Sequence, residues 1–264
     1  MTPEPHRVVA YNTARDSENK IHDNDVARRF GFGGGLVPGV DVYAYMSHLA
    51  VMRWGRDWLA RGEAACRLLK PVYDGENAVA SAAETAAGLD LEVESRGEVC
   101  AAGSAALPAE AAPMPQDFAA AAAPPESRPP ADEAGLRPGR ALAINPLALT
   151  EEYLRQYLAD VRESAPIYAE EGLLHPGTIL RTANWALSHN FVMGPWIHTG
   201  SRVRHLGLAH IGDEISARAR IAANYEKKGH RFVDLDVLVL KNRAEPIAVI
   251  AHTAIWRPRQ LAAA

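Results

Sequence analysis

Polar and apolar residues alternate along several segments of this chain, a pattern typical of strands that are buried on one face. Each group of such segments follows one apolar segment of helical character, 40–59 in the first half and 178–190 in the second. We therefore predict two α+β units, each a long helix wrapped by a mostly antiparallel sheet. The predicted strands are 77–83, 88–95 and 98–105 in the first unit, and 214–221, 231–238 and 247–256 in the second.

The two units also share their landmarks. A Pro-Gly pair opens each predicted helix, and a glycine followed by an acidic residue opens the strands after it. Pro38 and Gly75 are 37 residues apart, and Pro176 and Gly212 are 36 apart. Such regular spacing indicates an internal repeat. Pairing the two sheets edge to edge would cover strand edges that a single unit leaves exposed.

The composition changes between the two units. Alanine and proline dominate there, as in the run of alanines at 119–123 and the proline pairs that follow it. Prolines remove backbone donors and disfavour regular structure, so this segment is predicted to be an extended connector. The predicted organisation is a first unit at 1–104, a linker at 105–140 and a second unit at 141–264.

Composition and charge limit the classes of function. The net charge of -4 argues against nucleic acid as a partner, because phosphate binding needs a basic face. Two cysteines are too few for a disulfide framework or a thiolate metal site, and we expect no metal or cofactor. No apolar run approaches the ~20 residues of a membrane span, and no secretory signal is visible. We therefore expect a cytoplasmic protein without a membrane partner.

The polar segment before the first helix carries the candidate chemistry. His22 can exchange a proton near neutral pH, and Asn19 can orient a water molecule or the imidazole. A helix beginning at Gly39 presents free backbone N–H groups, and glycine lets a ligand carbonyl approach them. These donors suit the negative charge that develops on an enolate or thioester oxygen.

Other motifs are weaker. The glycine run at 31–35 lacks the Lys-Ser/Thr of a phosphate loop, so we interpret it as a connecting loop. The sequence has no Gly-x-Ser-x-Gly motif, which would indicate a serine hydrolase. His198, His205 and His210 lie in or beside a strand pattern without metal-ligand spacing, and we expect structural roles for most of them.

Taken together, the motif at 17–22, the Pro-Gly helix start and the segment Pro-Val-Tyr-Asp-Gly-Glu at 71–76 resemble the MaoC-like dehydratases, or (R)-specific enoyl-CoA hydratases. The resemblance covers both units and implies a double hotdog fold. It implies an acyl-CoA or acyl-carrier-protein thioester as substrate, and homodimers are common among such proteins.

The resemblance also implies roles for individual residues. The family motif Asp-x-Asn-Pro-x-His places Asn19 and His22 at the asparagine and the histidine, whereas Ser17 stands at the aspartate, with Asp16 one position earlier. In the family, the aspartate and histidine activate water, and the helix-start N–H holds the thioester oxygen. Around that helix start we expect substrate contacts from Gly39, Val40 and Tyr45.

The second copy of the motif is altered. Glu163 matches the aspartate position, but Ala165 replaces the asparagine and Tyr168 replaces the histidine. In related two-domain hydratases one half is catalytic and the other widens the acyl pocket. The resemblance therefore implies that the first unit holds the site.

Three functions remain open on the sequence. The first is hydration or dehydration of a 2-enoyl thioester. The second is a non-catalytic acyl-thioester-binding hotdog, which the serine at position 17 favours. The third is thioester hydrolysis with Asp41, early on the first helix, activating water. The alternative for Asp41 is a carboxylate that interacts favourably with the helix dipole.

Overall fold

A computed structural model describes residues 2–110, 113 and 118–261. A short 3-10 helix, Lys20–His22, precedes the first α-helix, and a second one, Arg259–Leu261, follows the last strand. The helices are α1 Asn24–Arg29, α2 Gly39–Trp54, α3 Arg56–Arg61, α4 Glu151–Asp160, α5 Ile167–Glu171 and α6 Pro176–Ser188. The strands of the first unit are β1 His6–Val9, β2 Glu63–Leu68, β3 Asn77–Thr85, β4 Gly88–Ser95 and β5 Glu98–Ala106. Those of the second are β6 Ala141–Ala143, β7 Leu147–Ala148, β8 Ile197–His205, β9 Glu214–Lys227, β10 His230–Lys241 and β11 Glu245–Arg257.

The strands form one continuous antiparallel sheet. Their order is β1-β3-β4-β5-β2-β8-β11-β10-β9-β6, with β7 also paired to β9. The two units meet where β2 pairs with β8, and Ala65 lies opposite Arg202 in that pair. The predicted edge-to-edge pairing of two α+β units is therefore confirmed.

Helices α2 and α6 pack against each other and against the inner face of this sheet. Every residue from Val40 to Val51 is buried, so α2 is enclosed on all sides, and its polar residues Asp41 and His48 bind partners inside the protein. The apolar core runs through both units without a break. The starts of α2 and α6 therefore both lie inside the protein, where side chains from the opposite unit can reach them.

The predicted strands are confirmed, and most extend beyond their predicted ends. The prediction of one helix over 40–59 is wrong, because the chain turns at Gly55 between α2 and α3. Gly55 has a φ of +57°, a backbone conformation that favours glycine, and its N–H bonds to Val51 O at 2.7 Å. The second helix begins two residues earlier than predicted, because Pro176 fits its first turn and the His175 side chain caps it.

The segment between β5 and β6 packs against the second unit. Leu136 is buried in the core, and its carbonyl accepts a hydrogen bond from Asn224 Nδ2 at 3.2 Å. Arg218 on β9 donates to Phe118 O at 3.4 Å. Residues 111, 112 and 114–117 of the predicted linker lie outside the described residues. Among the described helices, none has both the length and the apolar character that crossing a bilayer requires.

Candidate active site

The polar segment before α2 is folded by side-chain caps. Asn19 caps the 3-10 helix, and Asp23 caps α1 by accepting hydrogen bonds from two backbone N–H groups at 3.0 Å. Asn12 Nδ2 donates to His22 O at 2.8 Å and anchors the segment to the body of the protein. Gly35 packs directly on the His22 carbonyl, where any Cβ would overlap that oxygen. The glycine run therefore lets the chain close tightly around His22.

The hydrogen bonds of His22 fix its tautomer. Nδ1 lies 2.7 Å from Leu36 O, and because a carbonyl oxygen only accepts, Nδ1 carries the proton. Burial lowers the pKa of His22, although the Leu36 carbonyl and the charge of Asp41 act in the opposite direction. The ring is therefore neutral near pH 7. Its Nε2 is unprotonated and can accept a proton, although Asn19 Nδ2 lies within 3.4 Å of it.

Asn19 joins the two units beside this ring. Its Oδ1 accepts from Trp196 N at 3.2 Å, and its Nδ2 donates to Trp196 O at 3.0 Å. The same Nδ2 lies 3.4 Å from His22 Nε2. Because the backbone of Trp196 already binds both ends of the amide, Asn19 orients the imidazole and holds the segment in place.

The start of α2 presents free donors. Asp41 N–H and Val42 N–H bond to Pro38 O, whereas no acceptor among the described residues binds Gly39 N–H. A Cβ at position 39 would overlap Leu68 Cδ1 and lie 2.8 Å from His198 Nδ1. Glycine therefore allows Leu68 and His198 to pack closely here, and no acceptor among the described residues binds its N–H.

Two cavities meet at His22. The first, of about 240 Å³, lies on the Gly39 side and is lined in part by Lys70 and His198. The second, of about 410 Å³, extends towards Arg128 and Arg181. The residues that line both cavities are Asn19, His22, Pro38, Asn184 and Trp196.

Asn184 and Trp196 come from the second unit, so both units build the walls. The Oδ1 atom of Asn184 is buried and has no hydrogen-bond partner within the described part of the chain. Sequence reasoning missed Asn184, Trp196 and His198 as site residues. No local motif marks them, since only the packing of α6 and β8 brings them to His22.

Of the remaining predicted site residues, two line a cavity at His22 and two do not. Ser17 and Val40 line the second cavity, and Ser17 Oγ donates to Asn19 O at 3.4 Å. Asp16 is exposed and lies outside the lining of both cavities. Tyr45 is buried in the core on α2, six residues beyond Gly39, and does not line either cavity. The structure thus brings together His22, Asn19, Gly39, Ser17 and Val40, but not Asp16 or Tyr45.

Asp41 is held in an ion pair. Its Oδ1 accepts from Arg181 on α6 at 2.7 Å, and its Oδ2 accepts from Thr13 Oγ1 at 2.6 Å. The side chain is fully buried and lines neither cavity. These contacts make Asp41 a link between the two central helices.

The altered copy in the second unit is a closed cluster. Glu163 accepts from His48 Nδ1 at 2.6 Å and from His175 Nε2 at 3.2 Å. Burial alone would raise the pKa of Glu163, but the hydrogen bonds from these two rings outweigh it and hold that pKa well below its usual range. Tyr168 packs against His175, with ring centroids 4.7 Å apart. The cluster is buried, and its members are absent from the linings of the two cavities at His22.

No family model and no curated protein matches this sequence. Solved structures do match its fold. A MaoC domain dehydratase from Chloroflexus aurantiacus is similar over 97% of this chain and 94% of its own, with 12% identity and a TM-score of 0.62. A double hotdog protein from Mycobacterium tuberculosis is similar over 97% and 96%, with 14% identity and a TM-score of 0.57.

A third solved structure, a MaoC-like dehydratase, is similar over 97% of this chain and 98% of its own. Its identity to this chain is 13% and its TM-score is 0.52. At identities this low, the structural similarity establishes a shared fold. The chain therefore has the MaoC-like double hotdog fold that the family resemblance implies.

Proposed function

We propose that this protein adds water to, or removes it from, the double bond of a 2-enoyl thioester of coenzyme A or of an acyl carrier protein. One observation carries the proposal. His22 presents an unprotonated Nε2 to a cavity that also reaches the helix start at Gly39, whose N–H has no acceptor among the described residues. This arrangement combines a neutral base with a donor for an oxyanion.

In the hydration direction, His22 Nε2 takes a proton from water as the water oxygen bonds to C3 of the enoyl group. The π electrons move towards the thioester, and the negative charge develops on its carbonyl oxygen beside Gly39 N–H. The protonated imidazole then gives its proton to C2. Asn184 Oδ1, which is buried without a partner, accepts a hydrogen bond from the same water and orients it towards C3.

The proposal uses one acid–base group where the family has two. Asp16 is exposed, and Ser17 supplies only a hydroxyl. The Leu36 carbonyl instead holds the proton of His22 on Nδ1, so the ring can act without a carboxylate neighbour. We therefore expect a slower hydratase than one with the complete pair.

The test is an assay of the purified protein with trans-2-enoyl-CoA substrates of several chain lengths. Hydration is monitored as the loss of the enoyl absorbance. We expect His22→Ala to lower kcat by about 10²–10⁴-fold with the fold retained, because general acid–base catalysis is lost. His210→Ala is the matched control, since this ring lines neither cavity. A wild-type protein that is inert towards every enoyl thioester would overturn the proposal.

The exposed position of Asp16 supports a second candidate, a hotdog that binds acyl thioesters without turnover. Calorimetry with a saturated acyl-CoA measures binding, and the enoyl-CoA assay measures hydration. The two measurements together separate the two functions. Binding without hydration would favour the second, and hydration abolished by His22→Ala would favour the first. Thioester hydrolysis through Asp41 has less support, because Arg181 and Thr13 already occupy both carboxylate oxygens.

A further inference from the structure

His198 is a buried histidine with one unused nitrogen. It lies on β8 in the second unit, lines the first cavity and is 6% exposed. Its Nε2 lies 2.8 Å from Ser201 Oγ, whereas its Nδ1 has no partner among the described residues. A buried polar atom without a partner is costly to the fold, so its position calls for a ligand or a function.

The unused nitrogen lies at the start of α2. A Cβ built on Gly39 would be 2.8 Å from His198 Nδ1, which places this nitrogen directly beside the helix start. Gly39 N–H is the donor assigned above to the thioester oxygen. An oxygen bound at this helix start would therefore be close both to a backbone donor of the first unit and to a side chain of the second.

We propose that His198 Nδ1–H is a second donor to the thioester oxygen, and that Ser201 and His252 hold the proton on that nitrogen. This inference rests on the proposed function, because it assigns a further catalytic residue to the same site. Two hydrogen-bond donors from different units would then stabilise the enolate.

The hydrogen-bonded chain behind His198 permits two arrangements of its protons. Ser201 Oγ lies 2.8 Å from His198 Nε2 and 2.9 Å from His252 Nδ1. When His252 Nδ1–H donates to Ser201 and the hydroxyl donates to His198 Nε2, the proton of a neutral His198 is on Nδ1. The reverse arrangement would direct a lone pair at the substrate oxygen and repel it. A bound carbonyl therefore selects the arrangement with the proton on Nδ1.

Both rings are neutral near pH 7. Burial lowers the pKa of His198 to about 4, and burial together with His198 lowers the pKa of His252 well below its ordinary value. A neutral imidazole can donate a hydrogen bond without bringing a buried charge to the site. His198 thus acts as a hydrogen-bond donor, while His22 exchanges the proton with substrate.

The kinetic test compares His198→Leu with His198→Asn. Leucine removes the donor, and we expect kcat for a trans-2-enoyl-CoA to fall by about 10²–10³-fold with KM changed only a few-fold. Asparagine places an N–H near the position of Nδ1, so part of kcat should return. His205→Leu is the matched control, because His205 is buried on the same strand but packs on Trp58 outside both cavities.

A second measurement separates this inference from the proposed function. A saturated acyl-CoA with ¹³C at its carbonyl is bound to each protein, and the carbonyl stretch is recorded by difference infrared spectroscopy. We expect a lower frequency in the wild type than in water, and a partial return in His198→Leu. The wild type could bind acyl-CoA with this lowered frequency, show the partial return in His198→Leu, and yet hydrate no enoyl-CoA. That result would overturn the proposed hydratase activity and support His198 as a donor.

A wild-type kcat and an unchanged carbonyl stretch in His198→Leu would overturn the role of His198 alone. Failure of the wild type to bind acyl-CoA would overturn both proposals. If His198→Leu does not fold, ¹⁵N NMR of histidine-labelled wild-type protein replaces it. A complex in which His198 Nδ1 lacks the proton would then overturn the inference.

Discussion

The starts of the two central helices have the same Pro-Gly sequence and opposite surroundings. At Gly39 the backbone N–H has no acceptor among the described residues, and a cavity lies beside it. At Gly177 the N–H donates to His175 Nδ1 at 3.0 Å, and the Tyr157 hydroxyl occupies the space that a Cβ would need. One repeat therefore leaves its helix-start N–H without an acceptor among the described residues, and the other covers it with side chains of its own unit.

The histidines beside these helix starts are protonated on different nitrogens. His22 donates through Nδ1 to Leu36 O, so its Nε2 is a base. His175 accepts through Nδ1 and therefore donates through Nε2 to Glu163. The backbone group that meets Nδ1 decides whether the ring is a base or a cap. A histidine near a helix start is thus not by itself evidence for catalysis.

The carboxylate is also on the closed side. Glu163 stands at the motif position that Ser17 occupies in the first unit, and it is enclosed by His48 and His175. The open helix start has a base and a cavity, and its nearby carboxylate, Asp41, is bound by Arg181 and Thr13 outside both cavities. The closed one has a carboxylate, Glu163, without access to either cavity at His22. This division favours one working site per chain.

The largest expected effect is on the closed side. We expect Glu163→Ala to lower the free energy of unfolding by about 3–5 kcal/mol, because it leaves two buried rings without their partner. Urea unfolding followed by circular dichroism measures the loss. Glu171→Ala is the control, since its exposed pair with Arg56 contributes at most about 1 kcal/mol. Equal losses in the two variants would contradict a structural role for the cluster.

Adding a methyl group at each helix start breaks the comparison directly. We expect Gly39→Ala to lower kcat by about 10²–10³-fold, since the methyl crowds His198 beside the proposed oxygen site, while the flexible end of Leu68 can move aside. Gly177→Ala should instead lower the free energy of unfolding by about 1–3 kcal/mol through overpacking against Tyr157. Its kcat per folded molecule should stay near that of the wild type.

Enoyl-CoA hydration and urea unfolding are measured on both of these variants. The reverse result, with activity lost only in Gly177→Ala, would show that the second helix start is the working one. Loss of activity in neither variant would remove both helix starts from the mechanism.

The sequence predicted the parts of this architecture that depend on local patterns. Strand patterns located β3, β4, β5, β9, β10 and β11, and the Pro-Gly repeat located both helix starts. These patterns did not locate β1, β6 and β7, or β2, the strand that pairs with β8, and they did not predict the break at Gly55, where a single positive φ ends α2. Long-range pairing and one backbone angle leave little trace in hydrophobic periodicity.

Only the part of the site that the first unit contributes was predictable from the sequence. Asn19, His22 and Gly39 belong to one contiguous segment, whose polar cluster and glycines stand out in the sequence. His198 reaches Gly39 through the pairing of β8 and the packing of α2, so its strand pattern alone predicted a structural histidine. Its unused nitrogen is visible only once both units are folded together.

A pH dependence of folding stability is also expected at the closed side. His6 stacks on His48 with ring centroids 3.9 Å apart, and burial together with His48 lowers the pKa of His6 to about 4. Between the ordinary pKa of about 6.5 and pH 4, the unfolded chain therefore binds a proton at His6 that the folded protein does not. Folding stability must then fall as the pH falls through this range, by at most about 1.4 kcal/mol per pH unit from this ring.

Replacing the ring by His6→Gln should flatten the slope of unfolding free energy against pH by that amount, measured by urea titrations from pH 7 to 4. An unchanged slope would mean that His6 is protonated in the folded protein, and the closed cluster would then carry a positive charge beside Glu163.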